Sequence, residues 1–399
     1  MPILCIISQA PSHLGEVWLV ASRCSRSLWT KVARVALPAA LLLGACGRGG
    51  GPARIAYPYP WLGSVLARAA QEGIDAWGGP RAVEIPQSLL ARKGLPPRYA
   101  GDIDYAEAMV AVPRLAGAAG PLSSRATLLV APIYAEHGIP LISPTATSDR
   151  VRSLSPWVFQ LAPDNAAEGA FLARFAVERL GARRITIFYL DADEYGLDLR
   201  DGVVRALAAR GITPVDEVGI IEHADLPRRV RESLERAVPD AVIIAARTPE
   251  SAAIARALHE RRPAVRVVAG DGVSLSAAFA QAAGPAAEAV YAAAWWSPDL
   301  PDTLSRAFAA RYAAIAGAAP TPTEAMYYDA LMVLARAVRD GGPNPAAVRR
   351  YLEALGATRP PFAGVTGPIA FQPGRRTNLW MTRVAGGVAS VVPDTGRLP

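Results

Sequence analysis

From residue 158 onward, short apolar runs alternate with longer amphipathic stretches. Residues 158–161, 184–189, 214–221, 241–245 and 265–269 read as strands, being short, apolar and bounded by Pro, Gly or Asp. Between them, 166–180, 197–210, 225–237 and 249–261 carry apolar positions at helical spacing. Strands alternating with helices predict a parallel sheet joined by right-handed crossovers. A further strand at 289–295 precedes helices at 302–314 and 323–339, and short strands and turns follow Phe362.

Upstream the pattern is less regular. Residues 54–57 and 80–86 read as short strands around an amphipathic helix at 62–77, whose apolar stripe includes Leu62, Val65, Leu66 and Ala69. Weak periodicity at 89–104 predicts a loop. A helix starting at Tyr105 is cut by Pro113, and a second helix at 126–137 stops at Gly138. The apolar run 139–142 then reads as a buried strand that opens into 143–149, a segment of small side chains, hydroxyls and backbone amides. In open parallel sheets ligands bind just beyond such strand ends. By itself the segment is equally a cap, with Thr147, Ser148 or Asp149 starting the next helix.

The N-terminus changes the picture. Lys31 and Arg34 precede an apolar stretch that is too short to span a membrane as a mature helix and ends in Leu43-Gly44-Ala45-Cys46. This is the layout of a secretory signal, and its end resembles a bacterial lipobox, in which Cys46 is lipidated and becomes the mature N-terminus. Residues 1–45 are thus expected to be a signal region, with 1–30 left out of fold reasoning as an over-extended start. Residues 46–53 form a Gly-rich tether. The body is expected to be exported and lipid-anchored, periplasmic or on the cell surface. Cys5 and Cys24 leave with the signal, so the body carries no disulfide and no thiol for catalysis or metal.

At 399 residues, 51% hydrophobic and 19% charged, the chain is globular and long enough for two domains. Its net charge of +7 comes from dispersed Arg, without a basic run interleaved with aromatics, so no nucleic-acid partner is expected. His13, His137, His223 and His259 show no metal-ligand spacing, and there is neither a Gly-x-Ser-x-Gly elbow nor a phosphate loop. The reading is therefore no enzyme, no metal and no cofactor.

Polar groups nevertheless gather at strand ends: Ser123 and Ser124 after a Gly-Pro turn, residues 145–148, residues 191–196, Arg247 with Thr248, and Gly270-Asp271-Gly272. Each alone reads as a loop or cap. In two sheets facing each other they would line one cleft, with hydroxyls and amides for an anionic group and an acid for an ammonium.

These residues carry a resemblance. Gly120-Pro121-Leu122-Ser123-Ser124, Ala131-Pro132-Ile133, Gly138-Ile139-Pro140 and Ser143-Pro144-Thr145-Ala146-Thr147 are similar to segments of the type I periplasmic binding proteins, in particular the leucine/isoleucine/valine-binding proteins of ABC importers. Asp164 with Glu168-Gly169, Tyr195-Gly196, Gly270-Asp271-Gly272, Tyr328-Asp329-Ala330 and the run 362–371 follow in the same order. The resemblance implies an α/β fold of two Rossmann-like lobes with parallel sheets, joined by a three-crossover hinge. Lobe 1 is expected at 54–163 plus 296–373, and lobe 2 at 164–295 plus 374–399.

It also implies a site. Ser124 and the backbone at Thr147 would hold a ligand carboxylate, and the Thr145 carbonyl, Thr147 hydroxyl and Asp271 its ammonium. Ala146 would lie between them, and Tyr195 would close from the second lobe. Ser123, Asp164, Arg247 and Thr248 are further candidates. The implied protein is a monomeric receptor for an amino acid or similar small polar ligand, delivering it to an ABC permease. Four features depart from the family pattern: the shortened Tyr57-Pro58-Tyr59-Pro60-Trp61 loop, a truncated and proline-broken helix before Gly120, Arg247-Thr248 where an aromatic is frequent, and Asp271 in place of a longer Glu. They leave open a rival, a ligand-free interaction lipoprotein of the same fold, akin to activators of cell-wall synthases.

Overall fold

A computed structural model describes residues 51–56, 63–78, 82–85, 101–221, 223–273, 275–372, 379–385 and 388–393. The signal region, Cys46, most of the tether, the 57–61 loop and most of the loop expected at 89–104 lie outside the described residues. Within the body, β1 (Ala53–Ala56), β2 (Val83–Glu84), β3 (Leu115–Ala119), β4 (Leu141–Ser143) and β5 (Val158–Gln160) form a parallel sheet in the order β2-β1-β3-β4-β5. A second sheet has a parallel centre of β6 (Ile185–Leu190), β7 (Asp216–Ile220), β8 (Ala241–Ala245), β9 (Arg266–Ala269) and β10 (Val290–Ala294). A small hairpin, β11 (Phe362–Gly364) with β12 (Gly367–Ile369), precedes β13 (Trp380–Ala385) and β14 (Val388–Val391). These last two add antiparallel strands to the second sheet, giving the order β14-β13-β10-β9-β8-β6-β7.

Helices α1 (Gly63–Asp75), α2 (Asp102–Val110) and α3 (Ser124–Glu136) belong to the first half of the chain. The chain leaves the first sheet after β5, enters α4 (Asn165–Arg174) and builds the second lobe with α5 (Glu194–Ala208), α6 (Leu226–Arg236), α7 (Thr248–Arg261) and α8 (Ala277–Ala283). After β10 it returns through α9 (Thr303–Ala316), α10 (Pro322–Gly341) and α11 (Pro345–Ala354), and α10 and α11 pack on β3. A third crossing reaches β13, so three segments join the lobes.

Local chemistry explains these elements. Every residue of β8, Ala-Val-Ile-Ile-Ala, is buried, as an interior strand covered on both faces requires. At the edge of the same sheet β7 buries only Val218 and Ile220. The long helix α10 starts with a capping box, Thr321 and Glu324, and a Pro at its first position. It then buries most of its length between the first sheet, α1 and α11.

The structure also corrects the sequence reading in places. Residues 115–119, read only as the approach to a Gly-Pro turn, form the fully buried β3. Its Leu-Ala-Gly-Ala-Ala carries little strand signal because small side chains are needed there: a Cβ on Gly117 would lie 2.7 Å from Leu334 of α10. Helices α8 and α11 were not expected, although Asn344 caps α11 and Pro345 opens it. The predicted helix at 166–180 is α4 followed by a π-helical turn at Phe175–Arg179. Helix α2 begins at Asp102, inside the expected loop, and α5 begins at Glu194, inside the expected 191–196 loop.

One packing detail fixes the second lobe. Helices α4 and α5 meet at Gly169 and Gly202, where added Cβ atoms would approach backbone atoms of the facing helix to 2.4 and 2.5 Å. Only glycine lets the two backbones come this close. That approach sets Glu168 of α4 beside the strand-end loop that follows β9.

Candidate functional site

The first half of the site is the loop after β4, held from below by α3. Ser123 caps α3, accepting the Ala126 N–H at 3.2 Å. The neighbouring Ser124 turns its buried hydroxyl to the loop, where Oγ accepts the N–H groups of Thr147 (3.2 Å) and Ser148 (3.1 Å). Two amides thus converge on one oxygen, the arrangement that suits a carboxylate oxygen. Thr145 donates its hydroxyl to the Leu122 carbonyl at 2.6 Å. Gln160 of β5 donates to the carbonyls of Ala146 (2.9 Å) and Ser148 (3.2 Å), which leaves Ala146 fully buried. These bonds consume backbone groups a bare loop would offer to water, and they make the loop rigid.

The second half gathers at the ends of β6, β8 and β9. Asp193 caps α5 by accepting the Tyr195 N–H (2.9 Å) and forms an ion pair with Arg247 (2.6 Å). The Arg247 guanidinium lies 5.5 Å from the centre of the Tyr195 ring. Tyr195 is buried, and its hydroxyl accepts the Gly272 N–H at 2.9 Å. Gly270 and Gly272 are needed at this contact, since a Cβ on either would lie within 2.6 and 2.9 Å of that hydroxyl. Thr248 directs its hydroxyl to the Gly272 carbonyl at 3.5 Å.

Glu168, not foreseen as a site residue, lies under this loop. It is fully buried, and its Oε1 accepts the Asp271 N–H at 2.6 Å. The Glu168 and Asp271 carboxyls act on each other electrostatically, and both are shifted upward. Burial first, then the charge of Asp271, pushes Glu168 well above the usual carboxylate range. Burial raises Asp271 too, but Glu168, Tyr195 and Arg247 all favour its charged form. Burial therefore disfavours the charged form of both acids, and more strongly for Glu168 than for Asp271. Although residue Asp271 is half-buried, its Oδ1 is shielded from solvent and has no hydrogen-bond partner among the described residues. The same holds for both side-chain polar atoms of the fully buried Asn165. A Glu after two small residues in a helix gives no sequence signal for this role; only the pairing with Asp271 reveals it.

Helix α5 brings the halves together. Tyr195 and Asp198 lie on successive turns of one face, about 5 Å apart along the axis. While Tyr195 serves the second half, Asp198 accepts the Ser148 hydroxyl of the first half at 2.7 Å. Arg205 of the same helix faces Asp149 at 3.7 Å, and the Thr147 carbonyl accepts the Asn165 N–H at 2.8 Å. So Ser124, Thr145, Ala146 and Thr147 form one cluster, and Tyr195, Arg247, Thr248 and Asp271 another. Asp164 is a cap instead: it accepts the Ala167 N–H at 2.9 Å and pairs with Arg152 at 3.1 Å. No group of metal-ligating side chains is found among the described residues.

Comparison with known proteins gives a consistent result. The family profile described as periplasmic binding protein matches residues 100–387. A Leu/Ile/Val-binding protein homolog 1 of Brucella suis is 25% identical over 255 residues, 63% of this chain and 66% of the relative, so the chain spans just under two thirds of that relative. The leucine-binding protein LivK of Thermotoga maritima superposes with a TM-score of 0.70 at 21% identity, covering 85% of this chain and 97% of that one. LivJ of Streptococcus pneumoniae, solved with isoleucine, gives 0.70 at 20% identity, covering 86% and 99%.

Proposed function

This chain belongs to the periplasmic binding protein family, and we propose that it is the solute receptor of an ABC importer, binding an amino acid or similar small polar ligand between its lobes. Its family and fold are those of solute-binding proteins, not enzymes, and the family implies an extracytoplasmic location. The observation that carries the reading is the convergence on α5 of two complementary half-sites. One offers two amides and a hydroxyl around Ser124, and the other a buried carboxylate, Asp271.

In this reading a ligand carboxylate takes the Thr147 and Ser148 amides, displacing or accepting from the Ser124 hydroxyl. The ammonium lies against Asp271, aided by the Thr145 carbonyl and the Thr147 hydroxyl, and Tyr195 forms the wall from the second lobe. Arg247 is committed to Asp193, so it shapes that wall rather than supplying a free cation. Closing the lobes on ligand shifts an open–closed equilibrium, and the permease reads the closed form. Hinge motion would divide the body as 54–163 plus 296–373 against 164–295 plus 374–399, and lipid on Cys46 would hold the monomer at the membrane.

The test is the thermal stability of the purified protein against a panel of amino acids. A ligand at a hundred times its Kd adds about 2.7 kcal/mol. Absence of any shift with amino acids, their amides or dicarboxylates would overturn the receptor reading and favour the ligand-free interaction lipoprotein.

A further inference from the structure

A sizeable cavity lies away from the inter-lobe cleft. It lies on the first lobe, between α1, α9 and α10 and the segment 355–365, with a volume of about 620 Å³. That is well within the range of small-molecule sites, about 300–1,000 Å³. Its walls are aromatic and apolar, with Trp77, Phe308, Met332 and Phe362 among them. Five further charged groups line it, and their commitments decide what it can hold.

Both acids are spoken for. Asp329 accepts the Val365 and Thr366 N–H groups, each at 2.8 Å, and Asp340 pairs with Arg336 at 2.5 Å. Arg336 also stacks over Trp77, 5.6 Å from the ring centre. The other two cations are differently placed. Arg311 reaches only the Tyr328 hydroxyl, at 3.4 Å, and Arg359 only the face of Tyr351, at 4.7 Å. Neither pairs with a carboxylate among the described residues. Gly73 of α1 keeps room here, since a Cβ would lie 2.6 Å from the Tyr328 hydroxyl and 3.1 Å from Arg311. The cavity therefore presents two uncommitted guanidinium groups above an aromatic floor. A cationic ligand would meet net repulsion, and a neutral apolar one would leave the half-buried Arg311 without an anionic partner, while the exposed Arg359 stands at the rim.

We propose that this cavity is a second ligand site, separate from the inter-lobe cleft, that takes an aromatic carboxylate. The ring packs among Trp77, Phe308 and Phe362, and the carboxylate is held by Arg311 and Arg359. The walls include the start of α9, which follows the second crossing between lobes, and the β11–β12 hairpin, which precedes the third. An occupant thus lies against elements that adjoin two of the three crossings between the lobes.

The experiment is calorimetric titration of the full protein with 3-phenylpropionate and with its neutral isostere, 3-phenylpropanamide. Arg311→Met, Arg359→Met and Ala307→Trp remove the anion partners or fill the cavity, and Asp271→Asn alters only the cleft. The expected result is one carboxylate bound per chain, with the amide and each Arg variant at least about tenfold weaker. Ala307→Trp abolishes binding and Asp271→Asn leaves it unchanged. Circular dichroism confirms that each variant is folded, and with three variants acting by two different routes a single misfolded one does not remove the test. No binding at ~5 mM carboxylate, equal affinity for the amide, indifference to the Arg and Ala307 changes, or loss with Asp271→Asn would each overturn the proposal.

Discussion

Replacing Glu168 by Gln tests the electrostatics of the buried acid pair. The amide keeps an oxygen for the Asp271 N–H and, like the protonated acid, carries no charge. At low pH, variant and wild type should therefore be equally stable. In the wild type the folded state holds the Glu168 proton more tightly than the unfolded chain, where a glutamate titrates near about 4.3. A raised folded value means that stability from this group is complete below the unfolded value and is lost as pH rises towards the folded one. The loss is about 1.4 kcal/mol per pH unit over that window. Glu168→Gln cannot titrate and escapes it. Other acids with raised values, the buried Asp329 and the exposed Asp149 among them, are common to both proteins and cancel in the difference. Urea unfolding at pH 4.5, 5.5 and 6.5, with unchanged m values, reads the effect directly. The variant should gain on the wild type steadily with pH. A difference that stays constant across the three pH values, or a variant less stable than wild type at the highest, would refute the raised titration of Glu168.

Other consequences are open to the same kind of measurement. Asp271→Asn should weaken binding of any amino-acid ligand by at least about tenfold, since a charge-assisted bond to ammonium is lost; unchanged affinity in a titration would move the ammonium site elsewhere. Ser148→Ala removes the hydroxyl that bonds to Asp198 across the lobes, so the closed form should lose about 1.5–3 kcal/mol, seen as a larger radius of gyration in small-angle scattering and weaker ligand affinity. Gly169→Leu drives a side chain into the backbone of α5, and unfolding in urea should show a cost at or above the upper end of about 1–3 kcal/mol. Burial raises the Asp329 carboxyl to about 6 despite its hydrogen bonds from Val365 and Thr366. Its contribution should be present below pH 4 and fall by roughly 3 kcal/mol as pH rises through 6, a slope that Asp329→Asn should flatten.

What the sequence determined by itself was periodicity and punctuation. Apolar runs too short for helices, alternating with amphipathic segments, specified β6 to β9 and the helices between them: β8 is apolar throughout because it is buried on both faces, while the edge strand β7 keeps Asp216 and Glu217. Gly138 and Pro140 framed β4, and Ser123, Ser124 and residues 145–148 stood out as polar groups at a strand end. Small-residue segments were less legible: β3 is made of Ala and Gly around one Leu because α10 presses against it, a demand that comes from a helix some 200 residues later. Tertiary structure also decided which polar residues act together. Asp164 and Asp193 are caps, Arg247 is tied to Asp193, and Glu168, silent in the sequence, accepts the Asp271 N–H from a fully buried position. Those assignments depend on the contact between Gly169 and Gly202 and on the single face of α5 that carries Tyr195 and Asp198, and a side chain's charge state follows from what surrounds it in space rather than from its neighbours along the chain.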